Sequence, residues 1–314
     1  MLVILLVTGA NMIYGFLSES QTSKAIKGMF DQYVPPAHID EMLADPDNYS
    51  FDGESKQLSV LFSDIRSFTT ISEALTATQL KTLLNDFFTP ITGIIFENNG
   101  TIDKYVGDMV MAFWGAPLDD ENHRHNSILA ALQILDKVEE LKPEFKERGL
   151  PEVNVGVGIN TGMMNVGDMG STFRRSYTVL GDAVNLGSRL EGLTKFYGIR
   201  LLIGEDTAKD LDGFLLRLID RVKVKGKDKA IDCYEPLCLE EAADETLRER
   251  VKSFHAALDD YHDKQWDTAE EKLKALLEQE PDCKLYNIYI DRIETLRQTP
   301  LPEDWDGAFT HTSK

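Results

Sequence analysis

Residues 58–70 read Leu-Ser-Val-Leu-Phe-Ser-Asp-Ile-Arg-Ser-Phe-Thr-Thr. Leu58 to Phe62 is a short apolar, β-favouring run and predicts a buried strand. Beyond it stands Asp64, a charge that a buried strand does not carry without a partner. Ser67 to Glu73 then predict a turn entering a helix. A carboxylate at a strand's end, ahead of free helical N–H groups, suits a cation holding a polyphosphate. A plain helix-capping role for Asp64 fits the same stretch.

Around this stretch, residues 57–236 alternate between strand and helix patterns. Leu80 to Asn98 predicts a helix, interrupted at Pro90 and stopped by Asn99-Gly100. Thr101 to Val106 and Met109 to Trp114 predict two strands joined tightly at Gly107-Asp108. A long amphipathic helix, Asn122 to Lys142, precedes a strand at Val153 to Ile159. Tyr177 to Leu180 predicts a short strand and Asp182 to Lys195 a helix. Arg200 to Ile203, Leu215 to Val224 and Ile231 to Pro236 predict the last strands.

A β-α-β-β-α-β order predicts an α+β, ferredoxin-like core. In that arrangement the third strand lies between the first and second, antiparallel to both. The hairpin tip therefore reaches the edge where the first strand ends, and Asp64 and Asp108 face one site. Two such carboxylates repel each other unless a cation lies between them. Magnesium–nucleotide sites use this combination of paired carboxylates and phosphate-ready backbone.

Bulk composition sets outer limits. The chain has 314 residues, which predicts two domains, and 42% of it is hydrophobic, enough for a real core. Its net charge of −20 argues against a nucleic-acid partner, because neutralising phosphates needs a basic face. Three cysteines, Cys233, Cys238 and Cys283, lack CxxC spacing and predict reduced thiols.

Leu2 to Leu17 is a mostly apolar run. As a helix it would span about 24 Å, short of the roughly 30 Å hydrocarbon core. We read residues 1–20 as the last part of a membrane helix, with a buried N-terminal helix as the alternative. Lys24 and Lys27 come next and place the rest on the cytoplasmic side. Residues 21–54 form a polar connector with helical patches at Ala25 to Tyr33 and His38 to Leu43.

Residues 239–300 are charged and strongly helical. Phe254, Ala257, Leu258, Tyr261, Ala269, Leu273, Leu276 and Pro281 are spaced like one tetratricopeptide-type helical hairpin. A single repeat cannot bury its own apolar face, so it packs on the main domain or on a second subunit. Residues 301–314 predict a disordered tail.

Four spaced motifs carry a family resemblance: Phe62-Ser63-Asp64-Ile65, Asp103-Lys104-Tyr105-Val106-Gly107-Asp108, residues 178–189 (Thr-Val-Leu-Gly-Asp-Ala-Val-Asn-Leu-Gly-Ser-Arg), and Val224-Lys225-Gly226-Lys227. With them the sequence resembles the class III nucleotidyl cyclases, over residues 55–238 as the catalytic domain. The resemblance implies that Asp64 and Asp108 hold two ions, magnesium or manganese, with the Ile65 carbonyl helping. It implies that Lys104 and Thr178 read the purine, a pair suited to adenine. Guanine-specific members carry a glutamate and a small or thiol residue there.

Asn185 matches the residue that orients the ribose, and Arg189 the one that stabilises the transition state. Lys225 matches the lysine on the terminal phosphates, with Lys227 close enough to compete. Read without the resemblance, Lys104 is an edge-strand lysine, and Asn185 and Arg189 a surface pair four apart on one helix face. No histidine sits in these motifs; His123 and His125 fall at a helix start and read as surface residues.

The activity implied by the resemblance is that of an adenylyl cyclase, which converts ATP to 3′,5′-cyclic AMP and pyrophosphate by two-metal-ion catalysis. In the family, metal ligands and purine readers meet across a dimer interface. A chain bearing both sets implies a homodimer with two shared sites, here tethered to the membrane. Thr178 places it in the threonine-bearing subgroup, where bicarbonate responsiveness is often found, so bicarbonate is a candidate regulator. Alternatives are a guanylyl cyclase, which Lys104 and Thr178 disfavour, and a nucleotide-binding regulatory module without turnover.

Overall fold

A computed structural model describes residues 1, 33, 34, 39, 40, 43, 53–223, 230–302 and 305–311. The first half of the catalytic region runs β1 (Glu54–Ile65), α1 (Phe68–Ala74), α2 (Ala77–Glu97), β2 (Thr101–Val106), β3 (Met109–Trp114), α3 (His123–Glu147) and β4 (Val155–Ser171). The second continues with β5 (Arg174–Leu180), α4 (Asp182–Tyr197), β6 (Leu201–Gly204), α5 (Glu205–Ala208), β7 (Phe214–Lys223) and β8 (Ile231–Leu239). Helices α6 (Glu245–His262), α7 (Trp266–Gln279) and α8 (Lys284–Arg297) come after it, and β9 (Phe309–Thr310) ends the described chain.

The sheet order is β2-β3-β1-β4-β6-β8-β7-β9, with β5 paired to β4. Strand β3 runs antiparallel to both β1 and β2, and β4 antiparallel to β1. The β-α-β-β-α-β core expected from the sequence is therefore present. Apolar spacing explains how its helices cover it. Helix α2 opens with a capping box between Thr76 and Gln79 and buries Leu83, Phe87, Ile91 and Ile95 in one stripe. With α3 it covers one face of the sheet around Leu61, Ala112 and Val157. Successive strand residues point to opposite faces, so Leu201 and Ile203 join this core while Leu202 joins the other.

On that other face α4 approaches closely. A Cβ on Gly158 would strike the backbone nitrogen of Glu191 and the carbonyl oxygen of Gly187, so a glycine lets the helix settle on β4. Helices α6, α7 and α8 extend this layer: Phe254, Leu273, Tyr286 and Tyr289 share a core with Leu186, Leu190 and Tyr197 of α4. The helical extension packs on the main domain of its own chain, one of the two outcomes expected for a single repeat.

Several elements depart from the sequence reading. Pro90 lies inside α2 without ending it. Strand β4 runs to Ser171, far past Ile159, because β1 pairs with it through Val166 and β5 from Asn165 onward. Long-range pairing thus makes a strand of the sequence Asn-Thr-Gly-Met-Met-Asn, which local propensity disfavours. The tail expected to be disordered includes β9, which pairs with Val222 and Lys223, and a buried His311. In the connector, Val34 and Ile39 are buried against the β1–β3 side of the sheet. The membrane-helix expectation falls on residues 1–20, which beyond Met1 lie outside the described residues. Among the described residues no helix is long and apolar enough to cross a membrane.

Candidate active site

Strand β1 carries Asp64 near its C-terminal end. Asp108 sits in the two-residue turn between β2 and β3, where Gly107 has the positive φ of 66° that such a turn requires. The Ile65 backbone N–H donates to Asp108 Oδ2 at 3.2 Å, so the hairpin tip is tied to the end of β1. Topology thus brings the two carboxylates together, as expected.

Their electrostatics are those of a like-charge pair. Burial, then the charge of Asp108 and a hydrogen bond with it, push the Asp64 carboxyl up to about 6. A cation between the two carboxylates would relieve this repulsion, so the donor set fits a divalent ion. Among the described residues no group of three or more His, Cys, Asp or Glu side chains gathers as a metal site. Further oxygens would come from the Ile65 carbonyl, substrate phosphates and water, the donors hard cations prefer.

Arg66 lies beside the pair. It bridges to Glu191 on α4 at 3.3 Å and also bonds to the Thr194 hydroxyl. Burial raises Glu191 to about 7, against the pull of Arg66. The Arg66 bridge joins the end of β1 to the helix bearing Asn185 and Arg189. Sequence reading assigned no role to Arg66 or Glu191, although each stands within two positions of a motif residue.

A second cluster lies across β2 and β5. Lys104 Nζ donates to Thr178 Oγ1 at 3.2 Å, bringing together the two expected purine readers. Beneath them Asp103, with a fully buried side chain, accepts from Thr178 Oγ1 at 2.6 Å and lies 2.9 Å from Lys104 Nζ. Asp103 carries no role in the sequence reading; the register of β2 on β3 breaks between Ile102 and Lys104, and at this irregularity Asp103 is buried while Lys104 is exposed.

Asn185 and Arg189 are exposed on one face of α4, and neither side chain has a hydrogen-bond or ion-pair partner among the described residues. Lys225 and Lys227 lie outside the described residues. His123, expected at the surface, is half-buried and shares a 2.8 Å hydrogen bond with Ser59, and His125 packs with its ring tilted against Phe214. Large apolar side chains remain uncovered around the second cluster: Tyr105, Val106, Met163 and Leu180 are about half exposed and Phe173, at the β4–β5 tip, is 98% exposed.

Comparison with known proteins bears on the family and the fold. The adenylate and guanylate cyclase catalytic domain family matches residues 52–235. An adenylate cyclase of Anabaena cylindrica is 44% identical over 189 residues, covering 58% of this chain and 37% of that protein. The chain thus spans well under half the length of that relative. The crystal structure of the adenylyl cyclase CyaB from P. aeruginosa superposes with a TM-score of 0.56 at 31% identity, over 62% of this chain and 100% of that one. The guanylyl cyclase Cya2 superposes with a TM-score of 0.57 at 26% identity, over 61% of this chain and 97% of that one.

Proposed function

We propose that this chain, which belongs to the adenylate and guanylate cyclase catalytic domain family, converts ATP to 3′,5′-cyclic AMP and pyrophosphate. The observation that carries the choice of ATP is the contact of Lys104 with Thr178. The ammonium offers a donor and the hydroxyl an acceptor, side by side, as the ring nitrogen and amino group of adenine require. The match to the Anabaena cylindrica adenylate cyclase supports the same reading.

ATP holds both nucleophile and electrophile, so fixing its ribose 3′-oxygen in line with the leaving pyrophosphate supplies much of the rate. Asn185 is assigned to the ribose and Lys225 to the terminal phosphates. Arg189 presents a planar, permanently charged donor set to the charge that develops at the α-phosphoryl group. Magnesium or manganese, two ions held by Asp64, Asp108 and the Ile65 carbonyl, would acidify the 3′-hydroxyl and withdraw charge from the phosphates.

The sites are proposed to form between two copies of the chain. Asn185 and Arg189 are exposed and without partners among the described residues, and the uncovered apolar side chains around Lys104 and Thr178 suit a second copy. Residues 1–20 are proposed as a membrane anchor, with the catalytic domain on the cytoplasmic side and bicarbonate as a candidate regulator.

Product formation tests the reading. With manganese and ATP the chain should yield cyclic AMP, with little cyclic GMP from GTP, and Asp64→Ala should yield neither. Nucleotide binding without product from a dimeric chain would overturn it.

A further inference from the structure

We infer that Asp103 is a positioning residue that sets the preference for adenine over guanine without touching the base. The inference rests on the reading of Lys104 and Thr178 as the purine readers.

The hydrogen bonds around Thr178 fix the direction of its hydroxyl. A threonine hydroxyl has one proton to give and two lone pairs to offer. That proton is committed to Asp103 Oδ2 at 2.6 Å, and the Val179 N–H donates to the same oxygen at 3.4 Å. Lys104 donates to Thr178 Oγ1, which leaves one lone pair and no proton. Oγ1 can therefore accept from an exocyclic amino group, but it cannot donate to a carbonyl oxygen.

Lys104 is set by the same carboxylate. Asp103 Oδ1 lies 2.9 Å from its ammonium, while the lysine side chain stays 43% exposed and that of Asp103 is 0% exposed. An ammonium has three donors. One is given to Thr178, the charge of Asp103 at 2.9 Å holds the group in place, and a remaining donor can reach a ring acceptor. The result is a donor beside an acceptor. Adenine presents the complement, an N1 acceptor beside a 6-amino donor. Guanine presents the reverse, an N1–H donor beside an O6 acceptor, and meets like against like at both positions. Discrimination built on buried polar groups left unpaired by the wrong ligand is stronger than any obtained from shape alone.

Asparagine at position 103 breaks this arrangement. If its oxygen faces Thr178, its NH2 group faces the Lys104 ammonium. If it is flipped, it donates to Thr178 and frees the hydroxyl proton to point at guanine O6.

The test compares kcat/KM for ATP and for GTP, measured separately with the full chain and with Asp103→Asn. The ratio within one preparation does not depend on how much of the protein is folded. We expect the ATP-to-GTP ratio to fall at least tenfold, with much of the change in KM. In a Thr178→Val background, Asp103→Asn should change the ratio far less, because its effect on the base passes partly through that hydroxyl. If Asp103→Asn is recovered only as aggregate, Asp103→Ser replaces it, removing the charge while leaving room for water, and the same fall is expected.

A variant that loses activity equally towards both nucleotides, with the ratio unchanged, would assign Asp103 to folding alone and overturn the inference. That outcome leaves the proposed activity standing. A wild-type chain that makes no cyclic AMP overturns both.

Discussion

The Ile65 N–H and the Asp108 carboxylate meet at 3.2 Å, joining the end of β1 to the β2–β3 turn. One backbone bond therefore holds the second carboxylate of the site against the first, before any ion binds.

This closeness has a pH signature. Asp64 is raised to about 6, so in the metal-free fold it keeps its proton to higher pH than in the unfolded chain. Its contribution to stability is fully present below the usual carboxylate range and is lost as pH rises through 6. A bound cation requires the ionised form and reverses the trend. Thermal unfolding with and without manganese should show a small metal-induced rise in Tm near about pH 5 and a much larger one near about pH 7. Asp64→Asn should abolish that growth; an unchanged profile would place the ion elsewhere.

The seat of α4 depends on Gly158. A methyl group there meets helix backbone, which cannot move aside as a flexible side chain can. Gly158→Ala should cost about 1–3 kcal/mol in urea denaturation. Turnover should also fall in the protein that remains folded, since α4 carries Asn185 and Arg189.

The helical extension is tied to β7 through a buried charge, Asp220, which Tyr197 of α4 also reaches. Arg292 of α8 pairs with Asp220 at 2.6 Å, and the Tyr197 and Tyr289 hydroxyls donate to the same carboxylate. Arg292→Met should destabilise the chain by about 3 kcal/mol, because a buried carboxylate is left without its cation. The two tyrosines keep the loss at the low end of that range.

His311 predicts the opposite pH trend to Asp64. Burial lowers it to about 4, and its ring shares a 3.0 Å hydrogen bond with the Tyr197 hydroxyl. The unfolded chain binds the proton first, so this contribution is full above the ordinary histidine value and is lost as pH falls towards 4. Protection of the amides of residues 305–311, measured against the intrinsic exchange rate at each pH, should fall as the pH drops from about 7 to about 5, and His311→Phe should remove much of that fall.

The core was readable because its signals are local. Both strands of the β2–β3 hairpin have the bounds the sequence suggests, set by apolar runs on either side of Gly107-Asp108. The β-α-β-β-α-β order then placed Asp64 beside Asp108. What stayed hidden depends on contacts between distant segments. The far half of β4 is a strand because β1 and β5 pair with it, and β9 is one because β7 accepts it. Asp103 shows the same limit within the site. The motif that contains it assigns it no role, and only its burial against Thr178 gives it one.

Subunit mixing gives the most direct test of an adenylyl cyclase with shared sites. Asp108→Ala and Arg189→Ala chains, each inactive with ATP and manganese, are combined in equal amounts and allowed to exchange. Shared sites should restore about a quarter of wild-type cyclic AMP production, since random pairing makes half the dimers mixed and each mixed dimer rebuilds one of two sites. A mixture that stays inactive after exchange is verified would contradict that arrangement.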